Sequence, residues 1–496
     1  MKGRVTSVSL RLERLEGREV PAALTPAQVR TAYGFNQIAF TTATGAAVAG
    51  NGSGTTIAIV DAYNDPYISS DVNTFDQRYS INGSQTLYQQ YGAASSFLTV
   101  ATPEGRTANS ASWSGEIALD VEWAHAIAPG AKILLVEAKS SSLTDLLNAV
   151  NYARSQSGVV AVSMSWGSSE FSAETSVAYQ SDFTTPAGHA GVTFVGASGD
   201  GGAPATWPAV STNVLSVGGT TLRTDSSGNY VSETAWSDSG GGPSRYFSKP
   251  SYQTAYAGTR RGSPDVSYDA NPNTGFSVYN TYGGGWEQIG GTSAGAPQWA
   301  ALIALADQGR ALQGLGSLDG PTQLLPAVYA MPASNFHDVT SGSNGYAATT
   351  GYDVATGRGT PYAQNVIGSL INYGTGKSLA AAPTTPTTGG TTTTTTGTTT
   401  GGGWTWGWTW WSFGPWARTA TADADTTTAV TPDAPAATPP AAPTATAVTP
   451  TTAADHGPAV EPVRLAADVP WWETPAPGLT LHIVATEDDL AVPTAV

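Results

Sequence analysis

The chain of 496 residues contains no cysteine, which excludes both a disulfide framework and a cysteine metal site and leaves the redox compartment unmarked. It is also poor in charge: 12% of its residues are Asp, Glu, Lys or Arg, and the excess is acidic, for a formal net charge of -16. Nucleic acid is therefore excluded as a partner, because that binding rests on Lys and Arg neutralising phosphates. So acidic a chain suits an acidic or extracellular setting. No apolar run approaches the roughly 18 residues that a membrane helix needs. Histidine is scarce too, with only five: His125, His189, His337, His456 and His482.

What is present is distributed unevenly. The composition changes near residue 376, so residues 23–375 read as one large globular domain. Residues 1–22, "MKGRVTSVSLRLERLEGREVPA", are basic and amphipathic and lack the uninterrupted apolar core of an ordinary secretory signal. They read either as an exposed helix or as an address, since "LRLERLEGREVPA" is similar to a short N-terminal motif on exported bacterial proteins; the second reading predicts an extracellular or cell-surface location. Residues 376–403 form a Thr/Gly-rich linker. In 404–417, "WTWGWTWWSFGPW" alternates tryptophans, so that several project from one face of an extended chain, either as a platform for polysaccharide or envelope or as a small ligand-free cluster. Residues 418–496 are dominated by Ala, Pro and Thr, too poor in large apolar groups to offset the entropy of folding, and a disordered tail is expected there.

Within the globular part, "TTIAIVDAY", "AKILLVEA", "VVAVSMSW" and "VTFVGASG" read as buried strands. Helical stretches lie between them, such as 142–156, "SLTDLLNAVNYARSQ". This rhythm predicts an α/β fold with a mostly parallel central sheet and helices on both faces. In such sheets ligands meet the carboxyl ends of the strands, where Asp61, Trp166 and Asp200 fall.

In "IGGTSAGAPQWAALIALA" (289–306), Ser293 sits among small residues just before an apolar helical run, which is the setting of a nucleophile on a tight turn. A serine nucleophile needs a base, usually a histidine held by a carboxylate. Yet two of the five histidines lie in the tail, and none of the others sits in a Gly-rich "HGTH"-like segment. Carboxylates are the alternative. In "SGEIALDVEWAHAIAPG" (114–130), Ser114 is placed to cap a helix that Pro129-Gly130 ends, and Glu116 and Asp120 stand at i and i+4 on one face. Their neighbours are apolar, so the pair is expected to be buried and to share a proton over an acidic range. A glutamate in that state serves as general base where histidine would already be protonated. Asp200, in the small-residue loop "FVGASGDGGA" (194–203), is either a turn residue or a protonated donor to an oxyanion.

The segments "SGEIALDVEWAHAIAPGAKI", "VVAVSMSWG", "ASGDGGAP", "PDVSYDANPNTGF" and "IGGTSAGAP" follow one another in an order and spacing that resembles the sedolisin family, the serine-carboxyl peptidases. The likeness runs from residue 24 to 364. It implies a subtilisin-like α/β fold and acid-acting serine-type endopeptidase activity on protein or peptide substrates. In it Ser293 attacks, Glu116 is the base, Asp120 orients it, and Asp200 joins the Ser293 N–H in the oxyanion hole. Asp61 and Trp166 are second-rank candidates, either extending the carboxyl network and covering the site or simply supporting the fold. The likeness also implies one structural Ca²⁺ in residues 336–359, with Asp338 and Asp353 binding through side chains and Val339 and Gly351 through carbonyls. Thr349, whose carbonyl is a further implied ligand, stands where the family commonly has glycine. A polar turn without metal is the alternative. Family members usually carry a long N-terminal prodomain, whereas the mature-like sequence here starts at about residue 24, so activation is expected to follow another route. The chain is expected to be a monomer. Two other classes compete: a non-catalytic surface or adhesion protein that retains the fold, and a carboxylate-pair glycosidase. The second leaves Ser293 and Asp200 without a task.

Overall fold

The computed structural model describes residues 23–42 and 44–379. The address segment, the Trp-rich segment, the tail and all of the linker beyond residue 379 lie outside the described residues, as do His456 and His482.

The apolar runs singled out in the sequence are strands. They are β1 (Thr56–Ala62), β3 (Lys132–Ala138), β4 (Val159–Met164) and β5 (Thr193–Ala197), which β2 (Leu98–Ala101), β6 (Val214–Thr224), β7 (Tyr230–Ala235) and β8 (Val266–Asp269) join. They form one eight-stranded sheet in the order β7-β6-β5-β4-β1-β3-β2, with β8 pairing to β6. Every pairing is parallel except that of β6 with β7. The central strands β4 and β5 are buried at every position. Burial on both faces is why they read as continuous apolar runs and not as alternating ones.

Three helices matter to the site: α1 (Ile68–Arg78), α2 (Ala111–Ile127) and α3 (Leu143–Arg154). Ser142 caps α3, its hydroxyl accepting from Asp145 N–H over 3.3 Å. A fourth helix, α4 (Gly295–Leu312), is buried along nearly its whole length, and so is α2 beyond its first turn. Neither has a polar face, so both are core elements and not surface helices. A hairpin of β9 (Phe276–Asn280) and β10 (Gly285–Ile289) packs over α1 and α2. There Trp123 Nε1 donates to Ser277 O over 3.1 Å, and Tyr279 N–H donates to Glu122 Oε2 over 3.1 Å.

Candidate active site

Ser293 lies in a short 3₁₀ turn, Thr292–Ala294, that runs directly into α4. Two glycines make the turn sterically allowed. Gly291 has φ 114°, a conformation that side chains rarely adopt. A Cβ at Gly295 would stand 2.7 Å from Val217 Cγ1 and 2.9 Å from Tyr268 Cβ, so only glycine lets the helix start press against the sheet. The result is a buried serine, 1% exposed, whose Oγ makes no hydrogen bond among the described residues.

Helix α2 supplies what faces it. The helix begins at Ala111, one turn before the start the sequence suggested, and Ser114 is not its cap. Ser114 sits inside the first turn with Oγ donating back to Ala111 O over 2.9 Å, a local bond open to a serine within a helix. The C-terminal end agrees with expectation, since α2 closes at Ile127, just before Pro129-Gly130. Glu116 and Asp120 project from the buried face, with Asp120 fully enclosed. Glu116 Oε1 and Asp120 Oδ1 are buried and accept nothing among the described residues.

The electrostatics follow from that burial. Loss of water pushes the Glu116 carboxyl well above its ordinary range, and the charges of Asp61 and Asp200 push it further. Hydroxyls of Ser293 and Ser165 act the other way. Ser293 thus approaches Glu116 closely enough to stabilise its charge while falling short of a well-formed hydrogen bond. Catalytic contacts are often loose before substrate binds. Asp120 is also pushed well up, by burial first and then by Asp61 and Glu116, and Ser165 opposes the shift. Ser165 Oγ donates to Asp120 Oδ2 over 2.7 Å.

Asp200 follows β5 and is only partly exposed. Its Oδ1 accepts both the N–H and the Oγ–H of Thr292, each over 2.8 Å, which docks it on the residue before Ser293. Thr292 Oγ1 in turn accepts from Gly199 N–H over 3.0 Å. Burial raises the Asp200 carboxyl to about 7, against the lowering effect of the Thr292 bonds. It is therefore a neutral acid, able to donate, at acidic pH.

Asp61 lies within β1, at its carboxyl end, and not beyond it. It is fully buried, neither oxygen has a partner among the described residues, and burial with the charge of Glu137 raises it to about 7. Trp166 directs Nε1 to Val60 O over 3.0 Å, fastening the end of β4 to β1 beside Asp61. No described histidine joins the group. His125 lies buried on α2 against Asp76, 3.3 Å away, His337 is stacked between Tyr230 and Tyr362, and His189 bonds to backbone carbonyls.

The sequence reading missed Ser165 and Thr292. Ser165 adjoins Trp166 and Thr292 adjoins Ser293 in the sequence, but the carboxyls they bond, Asp120 and Asp200, are distant in the chain, so adjacency to a singled-out residue was the one available signal.

In the loop expected to bind calcium, no group of three or more acidic or histidine side chains is placed to hold a metal among the described residues. Two carboxylates bond to the backbone of that loop. Asp338 accepts Gly351 N–H over 2.9 Å, and Asp353 accepts the N–H groups of Thr349, Ala355 and Thr356 over 2.7, 2.9 and 2.8 Å. The carbonyl oxygens of Val339, Thr349 and Gly351 accept no backbone hydrogen bond among the described residues. Two carboxylates with three unspent carbonyls make an oxygen-only donor set, which fits Ca²⁺.

Comparison with known proteins bears on the family and the fold. The family model described as "Subtilase family" matches residues 52–315. Kumamolisin of Bacillus sp. (strain MN-32) is 33% identical over 386 residues, covering 71% of this chain and 64% of that protein. Sedolisin of Pseudomonas sp. (strain 101) is 32% identical over 367 residues, covering 66% of this chain and 60% of that protein. The chain thus spans under two thirds of the length of these two relatives. The solved structure of Pseudomonas sedolisin, a serine-carboxyl proteinase complexed with two molecules of pseudo-iodotyrostatin, superposes with a TM-score of 0.55 at 30% identity, covering 70% of this chain and 97% of that one.

Proposed function

The chain belongs to the sedolisin family, and from that premise we propose that it is an acid-acting serine-carboxyl endopeptidase. The observation that carries the reading is the unpartnered Ser293 hydroxyl set against two buried carboxyls whose protons are held well above the ordinary range. Ser293 Oγ attacks the peptide carbonyl and its proton passes to Glu116. The Oγ–C bond forms, and as the tetrahedral centre collapses the scissile C–N bond breaks and Glu116 passes the proton to the leaving amine. A water then hydrolyses the acyl-enzyme along the same proton path.

Glu116 takes this proton at low pH because Asp120 shares the charge, so that one proton on the pair still leaves an acceptor. Asp120 is itself fixed by Ser165. Asp200, neutral below about 7, donates to the oxyanion together with the Ser293 N–H. Preorganised donors of this kind contribute roughly 3 kcal/mol each to the transition state. Ca²⁺, held by Asp338, Asp353 and the carbonyls of Val339, Thr349 and Gly351, would cross-link the loop of residues 336–359 and take no part in the chemistry. An acidic extracellular setting suits both the net charge of -16 and this carboxyl chemistry.

The test is cleavage of denatured casein between pH 2 and 8 by the unmutated chain, Ser293→Ala and Glu116→Gln. The expected result is activity confined to acid, internal fragments of many sizes, and loss in both variants. Release of tripeptides alone would replace endopeptidase with exopeptidase, and a folded, inert unmutated chain would overturn the reading.

A further inference from the structure

The proposed catalytic group uses Glu116, Asp120, Asp200 and Ser293. It leaves unexplained a second set of buried carboxyls on its far side. Glu137 in β3 stands directly opposite Asp61 of β1 in the parallel register, so both side chains point to the same face of the sheet. Glu137 is fully buried and Asp65 is 2% exposed. Neither Glu137 Oε2, Asp65 Oδ2 nor either oxygen of Asp61 has a partner among the described residues.

The backbone is bent to make this arrangement. Directly after β1, Tyr63 takes φ 63°, the one left-handed non-glycine residue among those described, a conformation that costs on the order of 1–3 kcal/mol. Its N–H bonds to Ala138 O over 2.9 Å, and the reversal brings Asp65 N–H to Glu137 Oε1 over 3.2 Å. Asp65 is held in turn, its Oδ1 accepting Tyr67 N–H over 2.9 Å. A strained turn that aims an amide at a buried carboxyl is a built contact.

We propose that Glu137, backed by Asp65, is a positioning residue for the catalytic carboxyls: it stands behind Asp61 and keeps a proton on the Asp61 carboxyl, which faces Glu116 and Asp120. The inference rests on Glu116 acting as the base. The charges around the chain of groups are all negative. From β1 comes Asp61, from the turn after β1 Asp65, from β3 Glu137, from the loop after β5 Asp200, from α1 Asp71, and from α2 Glu116, Asp120 and Glu122; among the described residues no Lys, Arg or His acts on Asp61, Glu137 or Asp65. Burial and these neighbours raise Asp61 and Glu137 to about 7 and Asp65 to about 6. With a proton on Asp61, Glu116 and Asp120 feel one fewer negative charge and the base ionises in acid. Once Asp61 ionises, it pushes the base's proton back on.

The two outer carboxyls act on Asp61 with opposite sign, which makes the test specific. Glu137→Gln keeps the acceptor for Asp65 N–H and removes the charge that raises Asp61, so Asp61 loses its proton earlier. The alkaline limb of kcat against pH should move down by about one pH unit, with KM unchanged within about twofold. Asp65→Asn keeps the backbone donor and removes the charge that raises Glu137. Glu137 then ionises earlier and Asp61 keeps its proton longer, so in an Asp200→Asn background, where Asp200 no longer ionises near 7, the limb should move up. Profiles that superimpose after scaling, in both variants, would reduce Glu137 to a structural role and overturn the inference.

A ¹³C-carboxyl titration of Asp61 in the Ser293→Ala chain, with and without Glu137→Gln, needs no activity; the Asp61 midpoint should fall. If the unmutated chain is inert and the midpoint still falls, the peptidase reading fails and the carboxyl link stands. If the chain is active and neither profile nor midpoint responds, the inference fails alone. Should Glu137→Gln not fold, Asp65→Asn decides by the direction of its shift.

Discussion

Ser165 Oγ donates to Asp120 Oδ2 over 2.7 Å and approaches Ser293 O at 3.4 Å, so one hydroxyl at the end of a central strand links the Asp120 carboxyl to the backbone of Ser293. The link explains how a helix and a turn far apart in sequence hold register. Both are referenced to β4, the strand between β1 and β5.

Removing that hydroxyl has a signed consequence. Ser165 lowers the pKa of both Glu116 and Asp120, and a hydrogen bond to a charged group is worth roughly 1.5–3 kcal/mol. Ser165→Ala should therefore raise both carboxyls further. The acid limb of kcat/KM should move to higher pH, and activity at pH 3 should fall by about tenfold or more. A pH–rate profile checks it; an unmoved acid limb would detach Ser165 from the base.

Asp200 must carry its proton to donate, and it loses that proton at about 7, close to Asp61. The alkaline limb should thus fall with the slope of two protons. Asp200→Asn keeps a donor at every pH and should leave a slope of one, while Asp200→Ala should cost about 100- to 1,000-fold in kcat. An alkaline limb with the same slope in the unmutated chain and in Asp200→Asn would show that Asp200 merely holds Thr292, since Asn keeps the Oδ1 acceptor for both Thr292 bonds.

Stability should follow pH in a direction set by the same burial. Asp65 titrates at about 6, Asp61, Glu137 and Asp200 at about 7, and Glu174 and Asp307 at about 8; in the unfolded chain such groups titrate near 4. Between those limits the native state binds more protons than the unfolded state, so stability decreases as pH rises. The contribution is complete below about pH 4 and is lost progressively as pH climbs from about 4 to about 8. Thermal unfolding should show a Tm at pH 4 above that at pH 8 by more than about 5 °C. The reverse order would mean that these carboxyls are not protonated in the native chain.

Much of this was legible in the sequence because burial leaves a trace in composition. The apolar surroundings of Glu116 and Asp120 marked their helix as core, and the apolar runs of β1, β3, β4 and β5 marked a sheet covered on both faces. Ser293 was legible from the small residues around it. Contacts across the sheet were not. Asp61 and Glu137 are 76 positions apart in the chain, a distance that only the register of β1 on β3 closes. Ser114 was read as a cap because serine favours that position, but α2 starts earlier and the side chain turns back on Ala111 instead. Tyr63 gave no signal at all, since tyrosine is not a residue that announces a left-handed turn.

Calcium binding can be separated from loop architecture by treating the two aspartates differently. Asp338 is exposed, and its bond to the protein is acceptance of Gly351 N–H. Asn at 338 keeps an oxygen for that amide and loses only charge. Asp353 accepts Ala355 and Thr356 through Oδ1 and Thr349 N–H through Oδ2. Asn at 353 would set its NH₂ against the Thr349 amide, donor against donor, and weaken the loop whether or not metal is present. Ca²⁺ at a hundredfold excess over its Kd should stabilise the unmutated chain by about 2.7 kcal/mol, and chelation should remove that gain. Asp338→Asn should match the unmutated chain in chelator and gain little from Ca²⁺, whereas Asp353→Asn should be less stable in both. Thermal unfolding of the three proteins with and without Ca²⁺ checks it. Equal Ca²⁺ responses in the unmutated chain and Asp338→Asn would place any bound ion elsewhere.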